Sequence, residues 1–363
     1  MKKLRVDLDK RSYDILIGSG VIKRFPSLLK AMRFTGPVVV VTDNIVHSRT
    51  HKVTDPVFKS MPNAFFRFLV PSSEKSKSLE VFQNTVHKIS RKTRTHQPLI
   101  VALGGGVVGD LAGFIASTYR RGVPLVQIPT TLLAQVDSAI GGKVGVDLPE
   151  AKNLVGAFYQ PAFVVMDTDF LRTLPCRQIR NGTAEIIKYA IIKDQGLFGY
   201  LEKNIEKILK LRKNDIEKII YECACIKARL VEKDERDDKG IRIALNFGHT
   251  IGHAIEAASG YSRVYTHGEA ISVGMLLAGE IAMQLDMLKE KDFKRIRALI
   301  KKARLPTRVR GVSLRDIMSS HKYDKKFITG YSRLVLPTKI GSVEIVEGIP
   351  WLLIKTVLRK YVL

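Results

Sequence analysis

Residues 98–121, PLIVALGGGVVGDLAGFIASTYRR, read as a strand, a glycine turn and a helix in immediate succession. The apolar run up to Leu103 shows no polar alternation, which suits a strand covered on both faces. Gly104, Gly106 and Gly109 then fit G-x-G-x-x-G at the strand–helix junction. Glycines there let the backbone approach a pyrophosphate, and the helix start offers free N–H groups and a positive dipole end. The acidic residue that normally follows about 20 positions later is missing. The motif alone therefore means no more than a tight strand-to-helix turn.

The flanking sequence extends this unit. PVVVVTD (37–43), AFFRFLV (64–70) and VPLVQIPT (123–130) read as further strands. SLEVFQNTVHKISRK (78–92) and TLLAQVDSAI (131–140) read as helices, and the N-terminal MKKLRVDLDKRSYDILIG alternates like an edge strand. Strands alternating with helices argue for a parallel sheet with helices packed on it. After MDTDFLRTLP (166–175) strand-like alternation nearly vanishes. RNGTAEIIKYAIIK, LFGYLEKNIEKILKL and NDIEKIIYECACIKARLVEKDE carry helical periodicity instead. The expected fold is an α/β Rossmann-like domain over 1–175 and a mainly α-helical domain over 176–363.

Composition sets limits on function. The chain has 363 residues, 45% of them hydrophobic and 26% charged, enough for two ordinary globular domains. The most apolar run, near 270–285, is interrupted by Glu280, so no membrane span is expected. The N-terminus has no apolar h-region, and three cysteines, two of them in C-x-C, suit reduced thiols; a cytoplasmic location is expected. A net charge of +25 could signal nucleic-acid binding. The basic residues are spread out, however, and the densest stretch, KEKDFKRIRALIKKARLPTRVR, reads as a solvated helix face without interleaved aromatics. An anionic small substrate is the better reading, with no nucleic acid and no membrane as partner.

The second informative stretch is IRIALNFGHTIGHAIEAASGYSRVYTHGE (241–269). His249 and His253 stand i, i+4, and a helix from about Asn246 would put both rings on one face. His267 follows a short loop and opens another apolar helix. Histidines from two helices, with a carboxylate from elsewhere, suit a divalent metal, most often zinc. Helix caps or core histidines are the alternative.

GHTIGHAIE with HGEAISVGM resembles the dehydroquinate synthase family and, more widely, the sugar-phosphate cyclases. GGGVVGDLAGFIASTYRRG, PTTLLAQVDSAIGGKVGVDLPEAKNLVGAFYQP and the C-terminal HKYDKKF extend the match over about 37–346. The resemblance implies NAD and a divalent metal, zinc or cobalt. It implies cofactor contacts at Asp43, at Ser72, Ser73, Glu74, Lys75, Ser76 and Lys77, and at Gly105, Gly106, Val107, Val108, Gly109 and Asp110. Further contacts fall at Thr130, Thr131, Leu133, Asp137, Ser138, Lys143, Lys152, Phe170, Leu171, Arg172 and Thr173. Ser72 and Ser73 stand where the family usually has Asp-Gly.

Spacing alone favours His249 and His253 as the ligand pair. The resemblance instead implies Glu185, His249 and His267 as ligands, with His253 as a substrate or proton-relay residue. Lys188, Lys227 and Asp137 join it in proton transfer. Arg121, Lys143, Lys152, Asn153, Arg242, Asn246 and Lys325 (or its neighbour Lys326) would bind the substrate. Arg121 would reach the neighbouring subunit's site, implying a homodimer. The implied reaction is transient oxidation by NAD, β-elimination of phosphate, reduction, ring opening and aldol closure.

Overall fold

The computed structural model describes residues 1–94, 96–150, 152–260, 264–322 and 331–363. It divides into two compact units. One is Met1–Pro175 with Ile216–Arg236, and the other is Cys176–Asp215 with Asp237–Leu363. A single cut at 175 is contiguous; these units are not.

The first unit contains β1 (Lys2–Val6), β2 (Tyr13–Gly18), β3 (Val38–Asp43), β4 (Phe65–Val70), β5 (Leu99–Gly104), β6 (Leu125–Pro129), β7 (Lys143–Val146), β8 (Val155–Phe158) and β9 (Phe163–Asp167). Its helices are α1 (Phe25–Ala31), α2 (Asn44–Lys59), α3 (Leu79–Lys92) and α4 (Gly106–Thr118). Seven strands form one sheet in the order β1-β2-β9-β6-β5-β3-β4. Only β1–β2 is antiparallel in it; the other pairs are parallel.

Alternate residues of the buried strands feed two cores. Val38, Val40, Leu99 and Val101 pack on one face with Phe25 and Phe58. Val39, Val41, Ile100 and Ala102 pack on the other with Leu111 and Ile115. Both faces are covered, so these strands tolerate no polar alternation. From β3 the chain runs to β4 on one side and then to β5 on the other. That reversal makes a crevice beyond the carboxyl ends of β3 and β5, where open α/β sheets bind ligands.

Two readings from the sequence change here. TLLAQVDSAI was expected to be a helix, but it supplies only a short helical turn wound as π over Ala134–Ser138, and Gly141 and Gly142, both at positive φ, end it. The segment after it, where the sequence suggests no strand, forms the antiparallel hairpin β7–β8. Its strands are four residues long and contain glycine, so alternation has little room to register.

The second unit contains α5 (Cys176–Lys193), α6 (Gln195–Leu209), α8 (His249–Ala258), α9 (His267–Gln284), α10 (Glu290–Lys302), α11 (Leu314–Lys322) and α12 (Trp351–Arg359). The helix between them in sequence, α7 (Lys213–Lys233), gives all but its first three residues to the first unit. An antiparallel hairpin, β10 (Tyr331–Lys339) with β11 (Ser342–Pro350), interrupts the otherwise helical unit. Helix α9 is buried on nearly all sides from Gly268 to Ala282, as its continuous apolar sequence requires.

Candidate active site

In the first unit the residues singled out for the cofactor gather at strand ends. Asp43 closes β3, and its Oδ1 accepts from the N–H groups of Ile45 and Val46, both at 2.9 Å, as the N-cap of α2. Gly105 is the N-cap of α4, and no side chain caps that helix. Gly106, Val107, Val108, Gly109 and Asp110 form its first turns. Gly104 is required by close packing, because a Cβ there would lie 2.6 Å from Val108 Cβ. Thr130 is buried after β6, Thr131 Oγ1 accepts from Ala134 N at 3.2 Å, and Leu133, Asp137 and Ser138 follow in the π-type turn and its approach. A Cβ on Gly106 would sit 3.2 Å from Ser138 Oγ, so these two segments adjoin. Phe170 and Leu171 are core side chains, Arg172 points outward, and Thr173 Oγ1 donates to Phe170 O at 2.8 Å.

The segment 72–77 follows β4. Ser72 and Ser73 are exposed, and Ser73 Oγ accepts from Lys75 N at 3.2 Å. Ser76 is buried and donates to Pro71 O at 2.5 Å. Glu74 pairs with Lys152 at 3.1 Å. Lys77 is buried between Asp110 Oδ2 at 2.6 Å, Asp147 Oδ1 at 3.7 Å and the Asn153 side-chain oxygen. Burial works against the Lys77 charge, but Asp110, Asp147 and Glu74 outweigh it and raise its pKa. Lys227, on α7, donates to both Asp137 O and Asp137 Oδ1 at 2.6 Å. Lys143 opens β7 with its ammonium 6.0 Å from the Phe158 ring centroid.

Arg120 and Arg121 both hold positive φ, 50° and 64°, an uncommon conformation outside glycine. Arg120 donates to Thr93 O at 3.2 Å and Arg94 O at 2.7 Å. Arg121 is exposed and, among the described residues, makes no hydrogen bond or ion pair. Backbone strain of this kind persists where the surroundings fix it, often at functional positions.

In the second unit a metal-type cluster forms from three helices. Glu185 on α5 is fully buried. Its Oε1 lies 3.4 Å from His249 Nε2 and 3.3 Å from His267 Nε2. The three ligand atoms fall within 4.8 Å of one another. Close helix contacts bring them together. Gly248 has φ +77° and lies so near α9 that a Cβ would meet Met275 Cγ at 2.6 Å. This glycine starts α8 at His249, not at Asn246, and Ile241–Asn246 winds as a separate 3-10 turn. A Cβ on Gly274 would lie 2.0 Å from Gly248 O, and one on Gly268 would lie 2.2 Å from Asn181 O of α5.

The ring orientations suit a metal. His249 Nδ1 meets Phe247 O at 3.1 Å and His267 Nδ1 meets Glu256 Oε2 at 3.2 Å. Each acceptor fixes the proton on Nδ1, which leaves Nε2 for coordination. Burial raises the Glu185 carboxyl, but Lys188, whose ammonium contacts Oε2, and the two histidines outweigh it and hold it well below the usual carboxylate range. Burial first, then Lys188, lowers the His249 pKa, favouring the neutral imidazole that a metal needs. His267 is pushed up to about 10, because Glu185 and Glu256 outweigh its burial; a metal would displace that proton. A buried carboxylate and two anchored imidazoles fit zinc or cobalt through N/O donation.

The pair suggested by spacing is not what converges. His253 is 61% exposed, with Nε2 4.0 Å from Glu256 Oε2, and its ring is 5.3 Å from that of His249. A second possible group, His253, Glu256 and His267, approaches the other nitrogen of His267. Arg242 is buried, and Asn246 ends the same 3-10 turn. Lys325 and Lys326 lie outside the described residues.

Residues 67–181 match the 3-dehydroquinate synthase N-terminal family model, and residues 182–327 match the 3-dehydroquinate synthase C-terminal model. A curated 3-dehydroquinate synthase of Desulforamulus reducens is 44% identical over 353 residues, covering 96% of this chain and 97% of that protein. The chain belongs to the 3-dehydroquinate synthase family. Among solved structures, a 2-deoxy-scyllo-inosose synthase complexed with carbaglucose-6-phosphate, NAD+ and Co2+ superposes with a TM-score of 0.90 at 26% identity. It covers 99% of this chain and 100% of its own. The 2-epi-5-epi-valiolone synthase of Streptomyces hygroscopicus, with NAD+ and Zn2+ bound, gives 0.88 at 26% identity and 98% coverage of each chain.

Within this family fold, several supporting residues escape a reading of spacing. Glu256 orients His267. Asn181 Oδ1 accepts from Gly268 N at 2.6 Å and pins the start of α9. Asp147 accepts from Asn153 N at 2.8 Å and faces Lys77. One local signal was available: T-H-G-E is a capping box, closed here by Thr266 and Glu269, and Arg177 grips Glu269 at 2.9 and 2.7 Å.

Proposed function

We propose that this chain converts 3-deoxy-D-arabino-heptulosonate 7-phosphate into 3-dehydroquinate and phosphate, using NAD and a divalent metal. The observation that carries the reading is the Glu185–His249–His267 cluster, in a chain 44% identical to a 3-dehydroquinate synthase over nearly its whole length. Three protein ligands leave coordination positions open for substrate oxygens. When bound, NAD takes and returns a hydride, and zinc or cobalt acidifies the hydroxyl groups it touches.

The chain's own groups do the rest. Lys77, Glu74, Asp43 and the α4 N-terminus would hold the cofactor, whose pyrophosphate suits uncapped N–H groups. Lys188, held against Glu185, and Lys227, held on Asp137, are the ammonium groups assigned to the acid–base work. His253 is exposed enough to exchange protons with solvent. Oxidation of the C5 hydroxyl acidifies the neighbouring C–H. Loss of that proton expels phosphate by β-elimination, and reduction, ring opening and aldol closure follow. Lys143, Lys152, Asn153, Asn246 and one C-terminal lysine are assigned to the substrate's phosphate, and Arg242 to its carboxylate. Arg242 is 3% exposed, and the family resemblance is what assigns it to the carboxylate. The carbaglucose-6-phosphate bound to the 2-deoxy-scyllo-inosose synthase has no carboxylate.

Arg121 is assigned to the phosphate site of a second copy in a homodimer. Its exposure supports this, as does its fixed left-handed backbone, while Arg120 is engaged by Thr93 and Arg94. A cytoplasmic location is part of the same reading, and no helix among the described residues is long and apolar enough to cross a membrane.

The test is phosphate release from the heptulosonate phosphate with NAD and zinc, while absorbance at 340 nm is followed. Release without net NADH, abolished by a chelator, is expected. Steady NADH formation on polyols, or no release with any metal, would overturn the assignment.

A further inference from the structure

We propose that the second unit carries another anion site, an arginine pocket that takes a small, multiply charged phosphate compound. The pocket, about 620 Å³, is lined by Arg177, Arg180, Tyr265, Glu269, Arg304 and Arg310 among others. Four guanidiniums thus share one cavity with a single carboxylate. That carboxylate is already committed: Arg177 grips Glu269 through Nε and Nη2, and Nη2 also reaches Val264 O at 2.7 Å. Arg180, Arg304 and Arg310 have no ion-pair partner among the described residues. Like charges gathered in one concavity raise its potential and concentrate counter-ions there.

Two of these side chains start from fixed backbone. Arg304 follows α10 with φ 58°, at a helix end where glycine or asparagine is the usual choice. The Arg310 backbone is pinned on both sides by Tyr265, whose hydroxyl accepts from Arg310 N at 2.6 Å and donates to Arg310 O at 2.9 Å. Arginine's planar fork matches phosphate oxygens in pairs, so several converging forks favour phosphate over a lone carboxylate. The volume lies within the range of small-ligand pockets. Four arginines gathered around one open hollow, as opposed to a basic stripe, point to a small molecule and away from a nucleic-acid strand. The assignment does not depend on the proposed reaction.

Inorganic pyrophosphate is the probe, added to full-length protein saturated with NAD and zinc, with binding read by calorimetry and mapped by hydrogen exchange. Expected is slowed exchange in peptides spanning 177–180, 264–269 and 304–310. The double variant Arg180→Ala/Arg304→Ala should weaken this binding by about tenfold or more per guanidinium removed, with phosphate release from the sugar-acid substrate unchanged. Unchanged pyrophosphate affinity in that variant would overturn the proposal. So would protection in wild-type protein confined to other segments, a measurement that needs no variant. A duplex oligonucleotide that protects these peptides at lower concentration than pyrophosphate would also overturn it, in favour of nucleic acid.

Discussion

The two units build their sites by different physical means. In the first, the cradle is mostly backbone: strand ends, an uncapped helix start and glycines admitted because a Cβ would collide. In the second, the cluster is made of side chains, each anchored through one atom by another side chain or a carbonyl. A backbone cradle depends on chain geometry and fails when that geometry is forced. A side-chain cluster fails when one donor is removed. Substitutions should therefore act on the two units in opposite ways.

The largest effect is expected at His267. His267→Ala removes one of three candidate ligands, which should cost more than the roughly 10- to 100-fold typical of a supporting residue. Zinc titration and phosphate release should both collapse, while NAD binding, read by fluorescence quenching, persists. Loss of NAD binding in the same variant would break the contrast.

Glu256→Gln comes next. The amide keeps shape but weakens the acceptor for His267 Nδ1, which stands 3.2 Å away. A fall of about 10- to 100-fold in zinc affinity is expected, with residual turnover restored by excess zinc. An unchanged zinc affinity would show that Glu256 is a bystander.

The contrast also explains what could be read without coordinates. The first unit's strands were legible because Val38–Val41 and Leu99–Leu103 are buried on both faces and carry unbroken apolar runs. The glycine turn was legible because its chemistry is local. The metal cluster was not, because Glu185 and His267 are 82 positions apart and meet through glycine contacts that no spacing rule encodes. The family resemblance pointed to these residues where spacing pointed to His253. Hairpin β10–β11 was missed because two register shifts, at Ser332/Leu334 and Pro337/Lys339, break the alternation of its strands. The return of Ile216–Arg236 to the first unit was missed for another reason: helical periodicity shows that a face is buried, not against what.

Gly104→Ala tests the backbone cradle. The new methyl would start 2.6 Å from Val108 Cβ and 2.7 Å from its Cγ2. Val108 is β-branched and on a helix, so its side chain cannot swing clear. Overpacking of this kind costs about 1–3 kcal/mol. The midpoint of denaturant unfolding should fall and NAD affinity with it, whereas zinc affinity at the Glu185 cluster stays the same. Equal losses at both sites would erase the distinction between the units.

The smallest effect concerns how Ile216–Arg236 is tied into the first unit. Glu235 accepts from Arg11 at 2.9 and 2.7 Å and from Gln160 at 3.1 Å, and Glu217 and Glu232 accept from the N–H groups of Ser19 and Asp7. The hydrogen bond from Arg11 is the main reason the Glu235 pKa lies below its ordinary 4.5, with burial opposing it. A depressed carboxyl stabilises the folded form fully above the unfolded value and loses that contribution as pH falls through the folded one. Arg11 is largely exposed, so solvent screens much of the pair. Glu235→Gln should speed hydrogen exchange across 216–236 by about two- to fivefold at pH 7. The difference from wild type should shrink below pH 4.5, where the wild-type carboxyl itself takes up a proton. A pH-independent difference would mean that the segment is held by its apolar face, through Ile216, Ile219, Ile220 and Val231, and not by its charged edge.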